Sequence, residues 1–381
     1  MTMRVQRRTL GFELWLASCL LVAFTLGASR HAAGAPLSLC DYTPSRSQFI
    51  DLSTTVDLRS LNPPGQDNTL YNGAFKLNGV YLMDTQSRGV TLNGNLKFDF
   101  SDPSLNTLNV APNFKYFPGD NDFFVFLGSD VSNLGALSLK KINLSGLTGY
   151  GYGRFRDVTP FSRVLNIQNQ LLRLNKLREP LPDETLAHLA SLIAALLPGD
   201  PLGELIGKIQ SVLRQSGLIV GGPLAAPSLL AIERILQDKG SSKFCGWETS
   251  FGVELQSHTQ SMLGLWSFQY ALAPAPRSQL ILNTKWSFSP DVLSSTLGTF
   301  FLDAQLVYTY RLSDLINAQG RYTFLRSSTR GNAPLDIQSL NLRLNFKLSS
   351  LNLLINFDWS LASGSATWSR LLNIDLGYEI F

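Results

Sequence analysis

The chain has 381 residues, of which 44% are hydrophobic and 16% are charged, and its formal net charge is +4. Soluble globular proteins carry about 25% charged residues, so this chain is short of solubilising charge, and its apolar content excludes a disordered chain. The most apolar run, residues 14–28, is shorter than the about 20 residues that a membrane-spanning helix needs, which excludes a helical membrane bundle. Residues 1–35 contribute +3 (four arginines against Glu13), and the remaining +1 (4 − 3) argues against a nucleic-acid partner.

The N-terminus has the pattern of a secretory signal. Three arginines lie within residues 1–8, an apolar core follows at residues 14–26, and small residues occupy positions 32–35. This order is typical of a cleaved signal peptide, which we place at residues 1–35. An uncleaved anchor helix is the alternative, and the short core and small-residue tail favour cleavage.

Export changes the interpretation of the cysteines. Cys19 leaves with the signal, so Cys40 and Cys245 remain as a pair in an oxidising compartment. No histidine or cysteine cluster surrounds either residue, and a metal site needs more ligands. We therefore predict a disulfide between them, with no metal and no cofactor.

From about Tyr71 the chain alternates apolar and polar residues, which is the signature of β-strands. Clear examples are residues 90–100, 340–348 and 372–380. In a soluble sandwich the apolar face would pack on a second sheet, whereas in an outer-membrane barrel it would face lipid and the polar face would line the lumen. Several predicted strands have about 10–13 residues, and a bilayer needs about 9–11, which favours a barrel of about 12–14 antiparallel strands.

Aromatic residues near the strand ends also favour the barrel, since such residues form girdles at both membrane interfaces. The predicted girdle residues are Tyr150, Tyr152, Trp286, Tyr308, Tyr310 and Trp359.

The last six residues, Leu376-Gly377-Tyr378-Glu379-Ile380-Phe381, end an alternating strand on an aromatic residue. This ending resembles the C-terminal signal of Gram-negative outer-membrane β-barrel proteins. The resemblance covers residues 50–157 and 246–381 and implies a porin-like transmembrane barrel. It also implies that Tyr378, Ile380 and Phe381 are read by the barrel-insertion machinery.

The middle of the chain changes from strand to helix periodicity. Residues 160–240 show four amphipathic helical patterns joined by short links, which predicts a helical insert between two barrel halves. Counting strands back from a periplasmic C-terminus puts this insert in the periplasm and puts Cys245 on the same side as Cys40. The insert could plug the lumen or lie below the barrel, and its bulk favours the second. The predicted segments are the signal peptide (1–35), an N-terminal segment (36–49), the first barrel half (50–157), the helical insert (158–245) and the second barrel half (246–381).

The segment that leads into the insert carries three alternating glycines, Gly149, Gly151 and Gly153. They leave room on one strand face for close backbone approach, such as a bend or a packed helix. Tyr150, Tyr152, Arg154 and Arg156 share the other face, where Tyr followed by Arg suits the headgroup zone of a membrane.

The sequence does not favour catalysis. Only His188 and His258 remain after signal removal, and neither has a recognisable nucleophile and orienting partner. We therefore expect no enzyme.

Three functions remain open. The first is an outer-membrane channel for small polar solutes, favoured by an inward face rich in Asn, Ser and Thr. The second is a barrel anchored in outer-membrane lipid whose insert, residues 160–240, binds a periplasmic protein. The third is a secreted soluble β-protein.

Overall fold

The structure is a computed structural model of the chain. It describes residues 38–44, 46–61, 70–100, 102, 106–119, 121–134, 142–196, 200–237, 242–257, 261–289, 299–313, 315–329, 332–348, 351–363, 365 and 368–378. The predicted signal peptide, His258, Ile380 and Phe381 lie outside these residues.

Within the described residues the chain forms a single antiparallel sheet of 14 strands, each hydrogen-bonded to the next in chain order. The strands are β1 (Arg46–Leu61), β2 (Leu70–Thr85), β3 (Arg88–Asp99), β4 (Thr107–Tyr116), β5 (Phe123–Leu134), β6 (Ile142–Asp157), β7 (Phe244–Gln256), β8 (Ser261–Leu272), β9 (Ser278–Phe288), β10 (Phe300–Arg311), β11 (Ile316–Ser328), β12 (Leu335–Leu348), β13 (Leu351–Ala362) and β14 (Ser369–Tyr378). The predicted count of about 12–14 antiparallel strands is confirmed. No ladder joins β1 to β14 among the described residues, so these two strands are the edges of the sheet.

Strand length follows from the long alternating runs of the sequence. The shortest strands, β4 and β14, have 10 residues, and the longest, β1, β2 and β6, have 16. Soluble strands are usually about 5–6 residues long, whereas about 9–11 tilted residues cross a bilayer. Every strand of this sheet is therefore long enough to cross.

The two ends of the sheet carry connections of different length. At one end, called the helix end, β6 leads into the helices and the other links are residues 86–87, 117–122, 273–277, 312–315 and 349–350. At the opposite end, called the loop end, the links are residues 62–69, 100–106, 135–141, 257–260, 289–299, 329–334 and 363–368. Short turns at one end and longer loops at the other are the pattern of outer-membrane barrels.

Four helices lie between β6 and β7. They are α1 (Thr159–Arg173), α2 (Asp183–Ala194), α3 (Leu202–Gln215) and α4 (Ala226–Gln237). Their apolar stripes pack against one another: α1 contacts α2 and α4, and α3 contacts α2 and α4. The resulting core is fully buried, with Phe161, Leu171, Ile209 and Leu213 at 0% exposure.

The start of α1 is fixed by a small buried network. Pro160 occupies the first turn, where its missing N–H costs nothing. The Thr159 hydroxyl donates to Asp157 Oδ1 at 2.5 Å and accepts the Lys243 backbone N–H at 2.8 Å. The chain therefore enters and leaves the helices through neighbouring residues at the ends of β6 and β7.

Candidate functional site: the inner face of the sheet

The sheet has two chemically different faces. Alternate residues of β2 to β10 line a cavity of about 470 Å³, and we call the face that lines it the inner face. Residues from both the early and the late strands of this set surround the same cavity, so the sheet curves around it. The other set of alternate residues forms the outer face.

The outer face is apolar and uncovered. Leu127 is 64% exposed, Leu255 59%, Leu144 50% and Phe251 46%. Monomeric soluble proteins rarely leave contiguous apolar patches larger than a few hundred Å² in water. Such a face needs an apolar neighbour.

The predicted girdle residues all lie on this outer face, in two groups. Tyr150, Tyr152, Tyr308 and Tyr310 lie toward the helix end, where they are 40–56% exposed. Trp286 and Trp359 are partly buried and lie toward the loop end of β9 and β13. The arrangement puts amphipathic rings toward both ends of the strands.

Some girdle residues belong to a continuous aromatic row across the outer face. The row crosses β5 to β10, and its ring centroids are 5.1–6.5 Å apart. Its members are Phe123, Tyr150, Phe251, Trp266, Trp286 and Phe300. Cross-strand aromatic pairs at such distances stabilise a sheet.

The cavity on the inner face has a mixed lining, in which polar and charged side chains lie beside apolar ones such as Leu82, Leu147 and Leu265. Its polar and charged lining residues are Asp84, Thr91, Asn93, Asn113, Lys115, Glu248, Ser250, Ser267, Gln269, Asn283, Thr284, Lys285, Asp303 and Gln305. Neutral amides and hydroxyls predominate, as the alternation predicts, and the charged groups are few and of both signs.

One wall of the cavity is built differently from the rest. Three phenylalanines, Phe117, Phe124 and Phe126, are at most 7% exposed and pack together on the inner face of β4 and β5. The adjacent positions of β6 are Gly149 and Gly151. A Cβ on Gly149 would lie 2.8 Å from the ring of Phe126, and one on Gly151 would lie still closer to the ring of Phe124, so the missing side chains make the room for these rings. The predicted close backbone approach is present, because a Cβ on Gly149 would lie 2.6 Å from Gly252 Cα of β7. None of the described helices packs there, and phenylalanine rings fill the rest of the space.

Charged side chains lie beside these rings. Lys115 Nζ lies 2.5 Å from Glu248 Oε1 and 5.1 Å from the centroid of Phe124. Farther round the cavity, Lys285 Nζ lies 3.7 Å from Glu254 Oε2.

Arg154 lies at the helix end but does not stay on the face of Tyr150 and Tyr152, so its predicted face is wrong. Its guanidinium carbon lies 4.2 Å from the centroid of the Phe117 ring, and its NH2 group donates to the backbone oxygen of Gln86. The backbone is distorted on both sides of Arg154: Gly153 has a φ of +104°, and Gly246 of β7, which pairs with Phe155, has a φ of +102°. Only glycine adopts this backbone conformation without strain.

The inner face of β12 and β13 is hydrogen-bonded rather than apolar. Asn341 Nδ2 donates to Asp358 Oδ1 at 2.5 Å, and Arg343 Nε donates to Asn356 Oδ1 at 3.0 Å. These cross-strand pairs satisfy Asn341, Arg343, Asn356 and Asp358, whereas the buried Oδ1 of Asn345 on the same face of β12 has no hydrogen-bond partner among the described residues.

The structure joins Cys40 and Cys245 by a disulfide. It ties the segment before β1 to the start of β7 at the helix end. In the same segment, Tyr42 stacks on Phe161 of α1 with ring centroids 4.8 Å apart. Burial, together with the charge of Asp157, raises the pKa of Tyr42 to about 12.

The remaining predicted residues do not join this site. His188 lies on the exposed surface of α2. Tyr378 ends β14. Within the described ranges, no group of three or more His, Cys, Asp or Glu side chains could hold a metal ion, and none of the described helices has the length and apolar character to cross a membrane.

The charged lining residues were not singled out from the sequence. Lys115 lies between the outward Phe114 and Tyr116, and Glu248 follows Trp247. A charge next to outward aromatic residues on an alternating strand must face inward, so strand parity alone could have identified them.

No family model and no curated protein matches the chain. Solved structures align with most of it at low similarity. A loop L8 deletion mutant of OmpT, an outer membrane protein of Vibrio cholerae, is 8% identical with a TM-score of 0.29, and the alignment covers 87% of this chain and 97% of that one. The toluene transporter TbuX of Ralstonia pickettii is 12% identical with a TM-score of 0.25, covering 89% and 82%. The monoaromatic hydrocarbon channel CymD is 8% identical with a TM-score of 0.25, covering 88% and 80%.

Similarity as low as this gives no information about the function of the chain. The sheet itself has the architecture of an outer-membrane β-barrel: antiparallel strands in chain order, an apolar outer face, a polar inner face, and links that are short at one end and longer at the other. The outer-membrane β-barrel that the C-terminal segment predicted is therefore confirmed as an architecture, without a subfamily.

Proposed function

We propose that the chain is an outer-membrane channel for small polar solutes. The observation that carries the proposal is the opposite chemistry of the two faces of one sheet. The outer face exposes leucines and aromatic residues, while the inner face surrounds a cavity whose lining adds amides, hydroxyls and a few charges to its apolar side chains. Water fills a polar lumen, and hydrocarbon covers an apolar outer face.

The orientation in the membrane follows from the two ends of the sheet. Short turns lie on the periplasmic side of outer-membrane barrels and longer loops lie outside, which places the helix end in the periplasm. A disulfide at this end is compatible with that compartment, because the periplasm is oxidising. In this orientation β14 ends on the periplasmic side, where the insertion machinery would read its C-terminal residues.

The helices would lie at the periplasmic mouth. α2 contacts β1, whereas α1 and α4 are connected to β6 and β7. The bundle therefore reaches from the middle of the sheet to its first strand. The cavity described above is lined by strand residues, so the bundle would narrow the mouth rather than fill this part of the lumen.

The alternative, an anchor whose helices bind a periplasmic protein, has weaker support. Among the residues that the structure describes in α1 to α4, Leu230 is the one large apolar side chain that is exposed. Docking of a partner through an apolar groove would need more such surface.

Planar-bilayer recording tests the proposal. Purified, folded chain should give discrete conductance steps, and the same preparation unfolded before addition should give none. A folded chain that stays electrically silent would overturn the channel and leave the anchor.

A further inference from the structure

The wall formed by β4 to β7 projects into the lumen. Phe124 and Phe126 fill the space left by Gly149 and Gly151, and together with Phe117 they form a buried group that we call the phenylalanine ledge. Packed rings of this kind are not easily displaced by a passing solute, because they sit against backbone with little free volume.

An ion pair spans the ledge. Lys115 extends from β4 and Glu248 from β7, with β5 and β6 between them. Their side chains are 24% and 8% exposed, so the carboxylate is almost desolvated while the ammonium still meets the cavity. The pair can cross two strands because the intervening β6 positions are glycines. The Lys115–Glu248 pair is therefore held in place by the packed wall of the lumen, unlike an ion pair on an exposed surface.

The charges that line the cavity do not cancel. They are Lys115 and Lys285 against Asp84, Glu248 and Asp303, which sum to −1 (2 − 3). Arg154 lies over Phe117, and Glu254 pairs with Lys285. Adding the charges of Arg154 (+1) and Glu254 (−1) leaves the sum at −1.

A narrow lumen amplifies a small excess of charge. Low-dielectric walls focus the field into the water between them, so counter-ions are enriched and co-ions are excluded. We propose that this excess makes the channel prefer cations over anions, and that the Lys115–Glu248 pair on the phenylalanine ledge lies where the loss of either charge changes the preference. The inference rests on the channel function proposed above.

The test is the reversal potential of the reconstituted chain under a KCl gradient, at mildly alkaline pH where carboxylates are ionised. Wild type should pass K⁺ in preference to Cl⁻. Glu248→Gln leaves Lys115 without its partner charge and should lower the permeability ratio, and Lys115→Gln should raise it. We expect each change to be about twofold to fivefold at low salt, because one unit charge near the ion path shifts the energy of an ion by a small multiple of RT. The double variant Lys115→Gln/Glu248→Gln restores the net charge and should return toward wild type.

The matched control is another lysine–glutamate pair on the exposed surface of α3. Lys208 Nζ lies 2.7 Å from Glu204 Oε1. Lys208→Gln and Glu204→Gln should leave the ratio unchanged. Far-UV circular dichroism of each variant checks that the sheet has folded. A folded, conducting chain whose two lumen variants shift the ratio in the same direction, or not at all, overturns this inference while the channel stands. Absence of conductance in wild type overturns the channel itself.

Discussion

The helical bundle and the sheet are both amphipathic, but they point their apolar sides in opposite directions. Leu171, Ile209 and Leu213 in the bundle are 0% exposed, whereas Leu127 and Phe251 on the outer face of the sheet are 64% and 46% exposed. Water drives apolar groups inward wherever it surrounds a fold. The two regions therefore suit different surroundings: the surface of the bundle suits water, and the outer face of the sheet suits hydrocarbon.

Two leucines with nearly the same exposure give the most direct test of this contrast between the bundle and the sheet. Leu127 on the outer face of β5 is 64% exposed and Leu230 on α4 is 61% exposed. Leu127→Arg should lower the free energy of unfolding in lipid vesicles by about 2–4 kcal/mol, the cost of an arginine at a lipid-facing mid-strand position. Leu230→Arg should change it by no more than about 0.5 kcal/mol, as is usual for a surface position in water.

Equilibrium denaturant unfolding of vesicle-bound chain measures both values. Equal effects of the two substitutions would mean that the two leucines share one solvent, and the contrast between bundle and sheet would disappear.

A smaller effect is expected at the contact between the N-terminal segment and the bundle. Tyr42 stacks on Phe161, and its pKa is raised to about 12 by burial and by Asp157. The unfolded tyrosine titrates near pH 10, so its neutral form contributes its full stability below about pH 10. That contribution is lost as the pH rises from about 10 toward about 12, by about 1 kcal/mol after allowance for solvent screening.

The comparison with Tyr42→Phe isolates this effect. The variant keeps the stacked ring but has no ionisable group, so its unfolding free energy should fall less than that of wild type over the same alkaline range. Parallel curves for the two proteins would contradict the raised pKa of Tyr42.

Much of the fold could be predicted because strand and helix periodicities are local. The alternation in β3, β12 and β13 defines their faces without any knowledge of neighbours. The four helical stripes likewise predicted four helices. The alternation of apolar and polar residues breaks in β4. Pro112 has no N–H to donate, and neither Ala111 nor Pro112 has a partner in the ladder between β4 and β5.

The site was harder to predict because it depends on register between distant strands. Lys115 and Glu248 are 133 residues apart, and only the pairing of β4 through β7 brings them together. The glycines of β6 were recognised as room for close packing, but the sequence does not say which rings enter that space. The inward turn of the Arg154 side chain comes with positive φ values at Gly153 and at Gly246 on the neighbouring strand, which periodicity does not reveal.

Tryptophan quenching by lipids with brominated acyl chains tests most directly whether the outer face of the sheet touches hydrocarbon. One variant keeps Trp266 of the aromatic row as its only tryptophan, and a matched variant carries its only tryptophan through Leu230→Trp on α4. In brominated vesicles, the fluorescence of Trp266 should be strongly quenched and that of the bundle variant should stay close to its value in ordinary lipid. Unquenched Trp266 fluorescence from a folded chain that remains dissolved without lipid or detergent would contradict the account.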